Sequence, residues 1–227
     1  MTLEVKICGI CDAAALAAAV VGGARLVGFV FFPASPRAPA AALAVTVPAG
    51  MSRVGLIVDA ADDDIARLVA TVPLDVLQLA RQRKPRRVAE VRNRFGLPVI
   101  KAVAVANAGD LAQADTYVGV ADRLLFDARP PEGATRPGGN SRPFNWRLLS
   151  GRIWNIPWLL AGGLHARNVA DAVRLSGAAA VDVSSGVEDT PGHKSAALIH
   201  AFLAEAARID PAAGAHTLAP GTRAAHM

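Results

Sequence analysis

A thiol stands at the end of the first apolar segment of the chain. The segment covers residues 3–7 and is followed by Cys8. In a parallel barrel, side chains at strand ends project from the carboxyl-terminal rim into a common mouth, where they can do chemistry. Lys6 precedes Cys8 by two positions, so both side chains point to the same side of a strand. Its ammonium would favour the thiolate form of Cys8, and an interior ion pair is the alternative role for Lys6.

Seven further apolar segments follow, and they alternate with helix-like segments. Most of them start roughly 22 to 25 residues apart, which fits a strand, a crossover helix and two short loops. Their continuous apolar character is typical of parallel strands that are buried on both faces. The seven predicted strands are residues 26–31, 54–58, 76–79, 98–105, 123–127, 158–163 and 180–186, and apolar residues recur at helical spacing in residues 12–21, 62–72, 85–95 and 194–207. Eight such units predict a single α/β domain, a (β/α)8 TIM barrel.

The composition agrees with one barrel and a short tail. Hydrophobic residues make up 52% of the 227 residues, which is enough for one sizeable core. We expect residues 1–208 to form the barrel. Residues 209–227 mix Pro, Gly, Ala and Thr without periodicity, so we expect a disordered carboxyl-terminal tail.

The composition also limits compartment and partners. No apolar run is long enough to span a membrane, and the first segment is too short for a signal peptide, so we expect no membrane partner. Two cysteines in such a barrel indicate a reducing cytoplasm, and without a nearby ligand set they make a poor metal site. The net charge of +5 comes largely from a basic run at residues 81–87 that has no interleaved aromatics. Such a run is usually a solvated face, so we expect no nucleic-acid partner.

Eight short motifs follow one another in barrel order and carry a family resemblance. They are Lys6-Ile7-Cys8-Gly9, Gly28-Phe29-Val30-Phe31 with Ser35-Pro36-Arg37, Arg53-Val54-Gly55-Leu56, Leu77-Gln78-Leu79, Leu125-Phe126-Asp127, Gly138-Gly139-Asn140, Leu160-Ala161-Gly162-Gly163 and Val183-Ser184-Ser185-Gly186-Val187-Glu188. Together, over about residues 3–205, they resemble phosphoribosylanthranilate isomerase of tryptophan biosynthesis.

The resemblance implies an Amadori rearrangement of N-(5-phosphoribosyl)anthranilate to 1-(o-carboxyphenylamino)-1-deoxyribulose 5-phosphate, without a cofactor. It assigns the acid to Asp127 and the base to Cys8. A thiolate is a competent base near neutral pH if positive neighbours lower its pKa, and a carboxylic acid can donate if its pocket keeps it partly protonated. The alternatives are a small core cysteine and an aspartate that caps a turn or helix. Cys11, the competing thiol, lies where the first helix begins.

Other positions are candidates for substrate binding. The resemblance places Arg37 near the anthranilate carboxylate, which a guanidinium can bind through two hydrogen bonds; a solvated loop arginine is the alternative. Gln78 and Asp182 are polar residues within apolar strands, where they face either the substrate or buried polar neighbours. Lys6 belongs to the same group.

Two predicted loops have the composition of a phosphate site. Gly162 and Gly163 end the seventh predicted strand, and Ser184, Ser185 and Gly186 end the eighth. These are the loops from which barrels most often build phosphate sites, using backbone N–H groups. We expect a phosphorylated sugar as the small-molecule partner, and a monomer or homodimer.

The chain also departs from the family pattern. After the fourth strand the family usually has His-Gly and an acidic residue, whereas this chain has Ala-Arg-Gln-Arg-Lys at residues 80–84. A compensated frameshift would explain this difference. The sixth loop differs at residues 139–141 and at Asn145, and the second crossover is short. The basic run at residues 81–87 should weaken the following helix, whose amino terminus is already positive.

Two other functions therefore stay open. A related sugar-phosphate barrel such as the histidine-pathway isomerase would carry an aspartate in place of Cys8 and a second phosphate site. A catalytically impaired paralogue that binds phosphate or a partner subunit is the other alternative, because of the altered fourth and sixth loops.

Overall fold

The computed structural model describes residues 2–37, 41–81, 84–130 and 143–211. The strands are β1 (Glu4–Cys8), β2 (Leu26–Phe31), β3 (Ser52–Val58), β4 (Val76–Ala80), β5 (Val99–Val105), β6 (Arg123–Ala128), β7 (Trp158–Leu160), β8 (Ala180–Val183), β9 (Glu188–Thr190) and β10 (His193–Lys194). The helices are α1 (Ala13–Val21), α2 (Ala41–Val45), α3 (Asp62–Thr71), α4 (Pro85–Phe95), α5 (Ala108–Asp115), α6 (Val169–Ser176) and α7 (Ala196–Ala206), with 3-10 turns at Trp146–Leu149 and Ser185–Val187.

Strands β1 to β8 close into a parallel barrel in sequence order. The closing pair is β1 with β8, in which Lys6 is the register partner of Asp182. The predicted (β/α)8 barrel is confirmed. The second crossover carries only the five-residue helix α2, as its short length suggested. No helix among the described residues has the length and apolar character needed to cross a bilayer.

Side chains inside the barrel change from apolar to polar along three of the strands, β4, β6 and β8. An interior apolar cluster includes Leu125 and Ala180, from the start of their strands. Because side chains alternate between faces, the next inward residues are two positions further on. These are Asp127 on β6 and Asp182 on β8, and Gln78 follows Val76 on β4 in the same way. The barrel interior is therefore apolar near the amino ends of these strands and polar near their carboxyl ends.

Two predicted strands end earlier than expected. Strand β7 ends at Leu160, whereas the sequence predicted a strand up to Gly163. Gly162 and Gly163 have φ of +88° and +66°, a left-handed conformation that a strand cannot contain. Strand β8 ends at Val183 because a 3-10 turn begins at Ser185.

Two arginines of the basic run, within α4, are paired with carboxylates. Arg87 bonds Asp62 at the start of α3, and Arg86 bonds Glu90 one turn further along α4. Pro85 begins the helix, and Gly96 ends it in the left-handed conformation. These ion pairs oppose the predicted weakening of α4, and the sequence alone did not reveal them.

The predicted tail begins within the described residues. Ile209 packs against the main apolar cluster, so contact with the barrel extends slightly beyond residue 208. Residues 212–227 lie outside the described residues.

Candidate active site

A buried ion pair joins the first and last barrel strands next to the thiol. The Nζ atom of Lys6 donates to Oδ1 of Asp182 at 2.7 Å. Burial opposes the charged form of Lys6, but Asp182 and the Cys8 thiol outweigh it and raise the pKa of Lys6 above its usual value. Lys6 therefore stays an ammonium. The ion pair, the alternative role for Lys6, is present, and the ammonium also lies beside the Cys8 thiol.

Cys8 ends β1 and is 4% exposed. A β-carbon at Gly28 on the neighbouring strand would lie 2.9 Å from its Sγ and 3.0 Å from Nζ of Lys6. The absence of a side chain at Gly28 thus leaves room for the thiol and the ammonium together. Burial is the largest effect on the Cys8 thiol and raises its pKa above the usual value, although the positive charge of Lys6 acts in the opposite direction. Without substrate, the protonated thiol is therefore the main form of Cys8 near neutral pH.

Asp127 lies on β6 at the mouth of the barrel and remains an acid near neutral pH. Burial and the charge of Asp182 raise its pKa to about 7, against the hydrogen bond from the Ala128 backbone N–H and the charge of Lys6. That N–H donates to Oδ1 at 2.8 Å. A β-carbon at Gly162 would lie 3.2 Å from the same oxygen, so the loop after β7 covers this carboxyl. A carboxyl with this pKa can donate a proton at neutral pH.

Arg37 is 5% exposed and is held by a residue that sequence reasoning did not single out. Its Nε and Nη2 donate to the two carboxylate oxygens of Glu188, at 2.6 and 2.8 Å. Burial raises the pKa of Glu188, but the hydrogen bond from Arg37 and the charge of Lys194 outweigh it, so this pKa is lowered. The alternative for Arg37, a solvated loop arginine, is therefore not what the structure shows.

Glu188 and Lys194 stand opposite each other in the hairpin of β9 and β10. The Nζ atom of Lys194 donates to Oε1 of Glu188 at 2.5 Å. Glu188 belonged to a family motif in the sequence, but it had no assigned role, and Lys194 stood at the edge of a predicted helix. The opposite charges six residues apart around Gly192 were the available signal for this hairpin.

The two loops predicted to bind phosphate are in contact. A β-carbon at Gly186 would lie 1.8 Å from the carbonyl oxygen of Leu164, so only glycine allows this approach between the loops after β7 and β8. Within the first loop, Asn168 donates to the Gly163 carbonyl at 2.9 Å. Ser184 and Ser185 stand between β8 and Gly186. All five predicted phosphate-site residues thus lie at one side of the rim.

Gln78 points into the barrel and is 3% exposed. Its Oε1 is buried and has no hydrogen-bond partner among the described residues. Asp182, by contrast, has the ammonium of Lys6 as its partner. Of the two polar residues predicted within strands, Asp182 takes part in a buried pair and Gln78 offers an acceptor to the barrel interior.

The altered fourth loop begins in an unfavourable backbone conformation. Arg81 has φ of +63°, which side chains other than glycine rarely adopt. The family's usual glycine at this position would suit that conformation. Lys101 donates to the Arg81 carbonyl at 2.7 Å and holds the turn in place. Residues 82 and 83 lie outside the described residues.

Within the described ranges, no group of three or more His, Cys, Asp or Glu side chains is arranged to hold a metal ion. The two cysteines are both free thiols. The Cys11 thiol donates to the Gly192 carbonyl at 3.2 Å. Cys11 lies just before Asp12, the residue that caps α1, as its predicted position at the helix start required.

Comparisons with known proteins agree with this arrangement. A family model described as N-(5'-phosphoribosyl)anthranilate isomerase matches residues 5–205. The isomerase of that name from Rhodospirillum centenum is 56% identical over 214 residues, covering 92% of this chain and all of the relative. The solved phosphoribosyl anthranilate isomerase from Thermotoga maritima is 34% identical with a TM-score of 0.80, covering 90% of this chain and 98% of that one.

A second solved structure holds a ligand. It is a phosphoribosyl anthranilate isomerase in complex with reduced 1-(o-carboxyphenylamino)-1-deoxyribulose 5-phosphate, 32% identical with a TM-score of 0.76. The alignment covers 90% of this chain and 98% of that one. The chain belongs to the N-(5'-phosphoribosyl)anthranilate isomerase family.

Proposed function

We propose that the protein converts N-(5'-phosphoribosyl)anthranilate to 1-(o-carboxyphenylamino)-1-deoxyribulose 5-phosphate in tryptophan biosynthesis, with Asp127 as acid and Cys8 as base. The observation that carries this proposal is a carboxyl near the end of β6 and a thiol at the end of β1, both close to the buried ion pair of Lys6 and Asp182. Both groups feel the charges of one buried pair, Lys6 and Asp182. Family membership supplies the substrate.

The first step opens the sugar ring. The carboxylic acid of Asp127 gives its proton to the ring oxygen, and the bond between that oxygen and sugar carbon 1 breaks. The nitrogen lone pair forms a double bond to carbon 1, which leaves a cationic imine and an aspartate anion. An acid with a pKa of about 7 suits this transfer at neutral pH, because it is substantially protonated there and still donates readily.

The second step moves a proton from carbon 2. The thiolate of Cys8 takes this proton, and the electrons of the C–H bond form a double bond between carbons 1 and 2. The electron pair of the imine bond returns to nitrogen and neutralises it. The resulting enol then becomes the ketone when carbon 1 gains a proton and the hydroxyl on carbon 2 loses one. The ammonium of Lys6 beside the sulfur favours the thiolate that this step needs.

The substrate ends have separate binding groups. Gly162, Gly163, Ser184, Ser185 and Gly186 form the phosphate end, where glycines let backbone N–H groups approach the oxygens.

Arg37 remains able to bind the anthranilate carboxylate. A guanidinium has five N–H donors, and Glu188 takes one from Nε and one from Nη2. The opposite edge, between Nη1 and Nη2, still offers two parallel donors to a carboxylate. Gln78 and Asp182 complete the interior wall beneath the sugar.

A tryptophan auxotroph that lacks this step tests the function most directly. The full chain should restore growth without tryptophan, and the matched Cys8→Ser chain should fail although it accumulates to the same level. A catalytically impaired paralogue, suggested by the altered loop at Ala80 and Arg81, would leave both strains unable to grow. An assay of purified protein with N-(5'-phosphoribosyl)anthranilate then distinguishes weak turnover from none.

Two further expectations accompany the proposal. The two free thiols favour action in the reducing cytoplasm. A monomer or a homodimer is expected, and light scattering at several protein concentrations decides between them.

A further inference from the structure

The hairpin of β9 and β10 brings one more cation to the site. Lys194 lies on β10, and its side chain is 0% exposed. The side chain reaches the residue that follows the thiol: a β-carbon at Gly9 would lie 3.3 Å from Nζ of Lys194 and 3.3 Å from Oγ of Ser184. The Lys194 ammonium, the loop after β8 at Ser184 and the backbone at Gly9, next to Cys8, therefore lie close together.

The three N–H donors of this ammonium have three acceptors. Nζ donates to the Ser184 carbonyl at 3.1 Å, to the Ser184 hydroxyl at 3.3 Å and to Oε1 of Glu188 at 2.5 Å. Two of the three contacts are to the first residue of the loop after β8. Lys194 thus acts on the site through Ser184 rather than by direct contact with substrate.

The buried cluster has more positive than negative charge. Glu188 is one carboxylate, and it pairs with both Arg37 and Lys194. One positive charge is left over after these pairings, whereas Lys6 and Asp182 balance each other. A buried surplus charge is costly unless an anion approaches it. The anions available to this site are a thiolate at Cys8 and the phosphate and carboxylate of the substrate.

We propose that Lys194 is a positioning residue that fixes Ser184 at the phosphate end of the site and adds a second positive charge beside Cys8. The groups that face this thiol are Lys6 and Asp182 from β1 and β8, and Lys194 from β10. Burial and Asp182 raise the pKa of Cys8, whereas Lys6 and Lys194 lower it. The proposal rests on the proposed function for its choice of phosphorylated ligand, but its electrostatic part does not depend on turnover.

Titration of the thiol tests the electrostatic part without substrate. Thiolate absorbance at 240 nm is followed against pH in the Cys11→Ser background, and the Cys8→Ser/Cys11→Ser protein gives the baseline. Lys194→Met should move the midpoint for Cys8 to higher pH, whereas Lys194→Arg, which keeps the charge, should stay close to the parent protein. An unmoved midpoint in Lys194→Met would overturn the proposal, whether or not the protein is an isomerase.

Calorimetric binding tests the phosphate part. The ligands are reduced 1-(o-carboxyphenylamino)-1-deoxyribulose 5-phosphate and the same compound without its phosphate. Lys194→Met should weaken binding of the phosphorylated ligand at least about fivefold, as expected when a charge-assisted hydrogen bond is lost, and should weaken binding of the other ligand, which keeps its carboxylate, distinctly less. Equal losses for both ligands would show a merely structural role and overturn the proposal.

Lys194→Met leaves Arg37 and Glu188 as a balanced pair, so the barrel should remain folded. If it does not fold, Lys194→Gln, which is neutral and keeps hydrogen-bonding capacity, replaces it in both measurements with the same expected shifts.

Discussion

Replacing Cys8 by serine removes the thiol while keeping a small side chain beside Gly28. A hydroxyl has a far higher pKa than a thiol and cannot hold the base form near neutral pH. We expect kcat to fall at least about a hundredfold, the lower range for the loss of general base catalysis. Steady-state kinetics measures this fall, and circular dichroism checks that the barrel is intact.

Cys11→Ser is the matched control. Its hydroxyl can still donate to the Gly192 carbonyl that Cys11 now contacts, so activity should change little. An inactive Cys11→Ser protein with an active Cys8→Ser protein would show that the base is wrongly assigned.

Asp127→Asn tests the acid. The amide keeps the shape of the carboxyl and still accepts from the Ala128 backbone, but it has no acidic proton. We expect kcat to fall at least about a hundredfold with a smaller change in ligand affinity. Activity of the unaltered protein should rise with pH as the Cys8 thiol ionises and should level off above about pH 7, because Asp127 must be protonated to donate. Near-normal turnover in Asp127→Asn would leave Asp127 only a structural role.

The backbone conformation of Arg81 should lower the stability of the fourth loop. Its left-handed conformation costs about 1 to 2 kcal/mol in residues other than glycine. Its ion pair with Asp59 spans 3.4 Å between half-exposed groups and contributes little. Arg81→Gly should therefore raise the melting temperature.

Arg81→Ala is the control for that prediction. It removes the same side chain and ion pair but keeps the β-carbon that causes the strain. The glycine variant should melt at a higher temperature than the alanine variant in thermal denaturation followed by circular dichroism. Equal melting temperatures would mean that the turn carries no strain.

Elements with a clear apolar pattern were predictable from the sequence. The strand Leu26–Phe31 and the helix Pro85–Phe95 have the bounds that their apolar patterns and flanking residues indicate. The hairpin of β9 and β10 was missed, because its short strands contain mainly charged and polar residues and make no apolar run. The roles of Glu188 and Lys194 were missed as well, because they depend on ion pairs with residues that no local sequence pattern identifies.

The places of the two proposed catalytic residues were predictable from the sequence, but their pKa values were not. Cys8 and Asp127 follow from their places at strand ends and from the family motifs. Their pKa values were not predictable, because they depend first on burial and then on the charges of Lys6 and Asp182, which pair across the closing strands. The end of β7 before Gly162 could have been foreseen from two consecutive glycines.

At the scale of the whole molecule, the raised pKa of Asp127 links stability to pH. Between the usual pKa of an aspartic acid and about 7, the folded protein keeps a proton on Asp127 that the unfolded chain has lost. The folded state then binds more protons than the unfolded state, so the free energy of unfolding decreases as pH rises through this window.

Asp127→Asn should therefore gain stability relative to the unaltered protein as pH increases from 5 to 8. Urea-induced unfolding at both pH values measures the difference. A difference that stays constant, or that shrinks with rising pH, would contradict the raised pKa.

The ion pair between Lys6 and Asp182 also sets an order of events during synthesis. The two residues are 176 positions apart. At ribosomal rates of about 5 to 20 residues per second, Lys6 emerges about 10 to 35 seconds before its partner. A lysine without a counter-charge is costly to bury, so β1 cannot settle into its final place during that interval. The nascent chain therefore completes the surroundings of Cys8, the proposed base, only when the eighth strand arrives, and closure of the barrel and completion of the proposed catalytic centre are the same folding event.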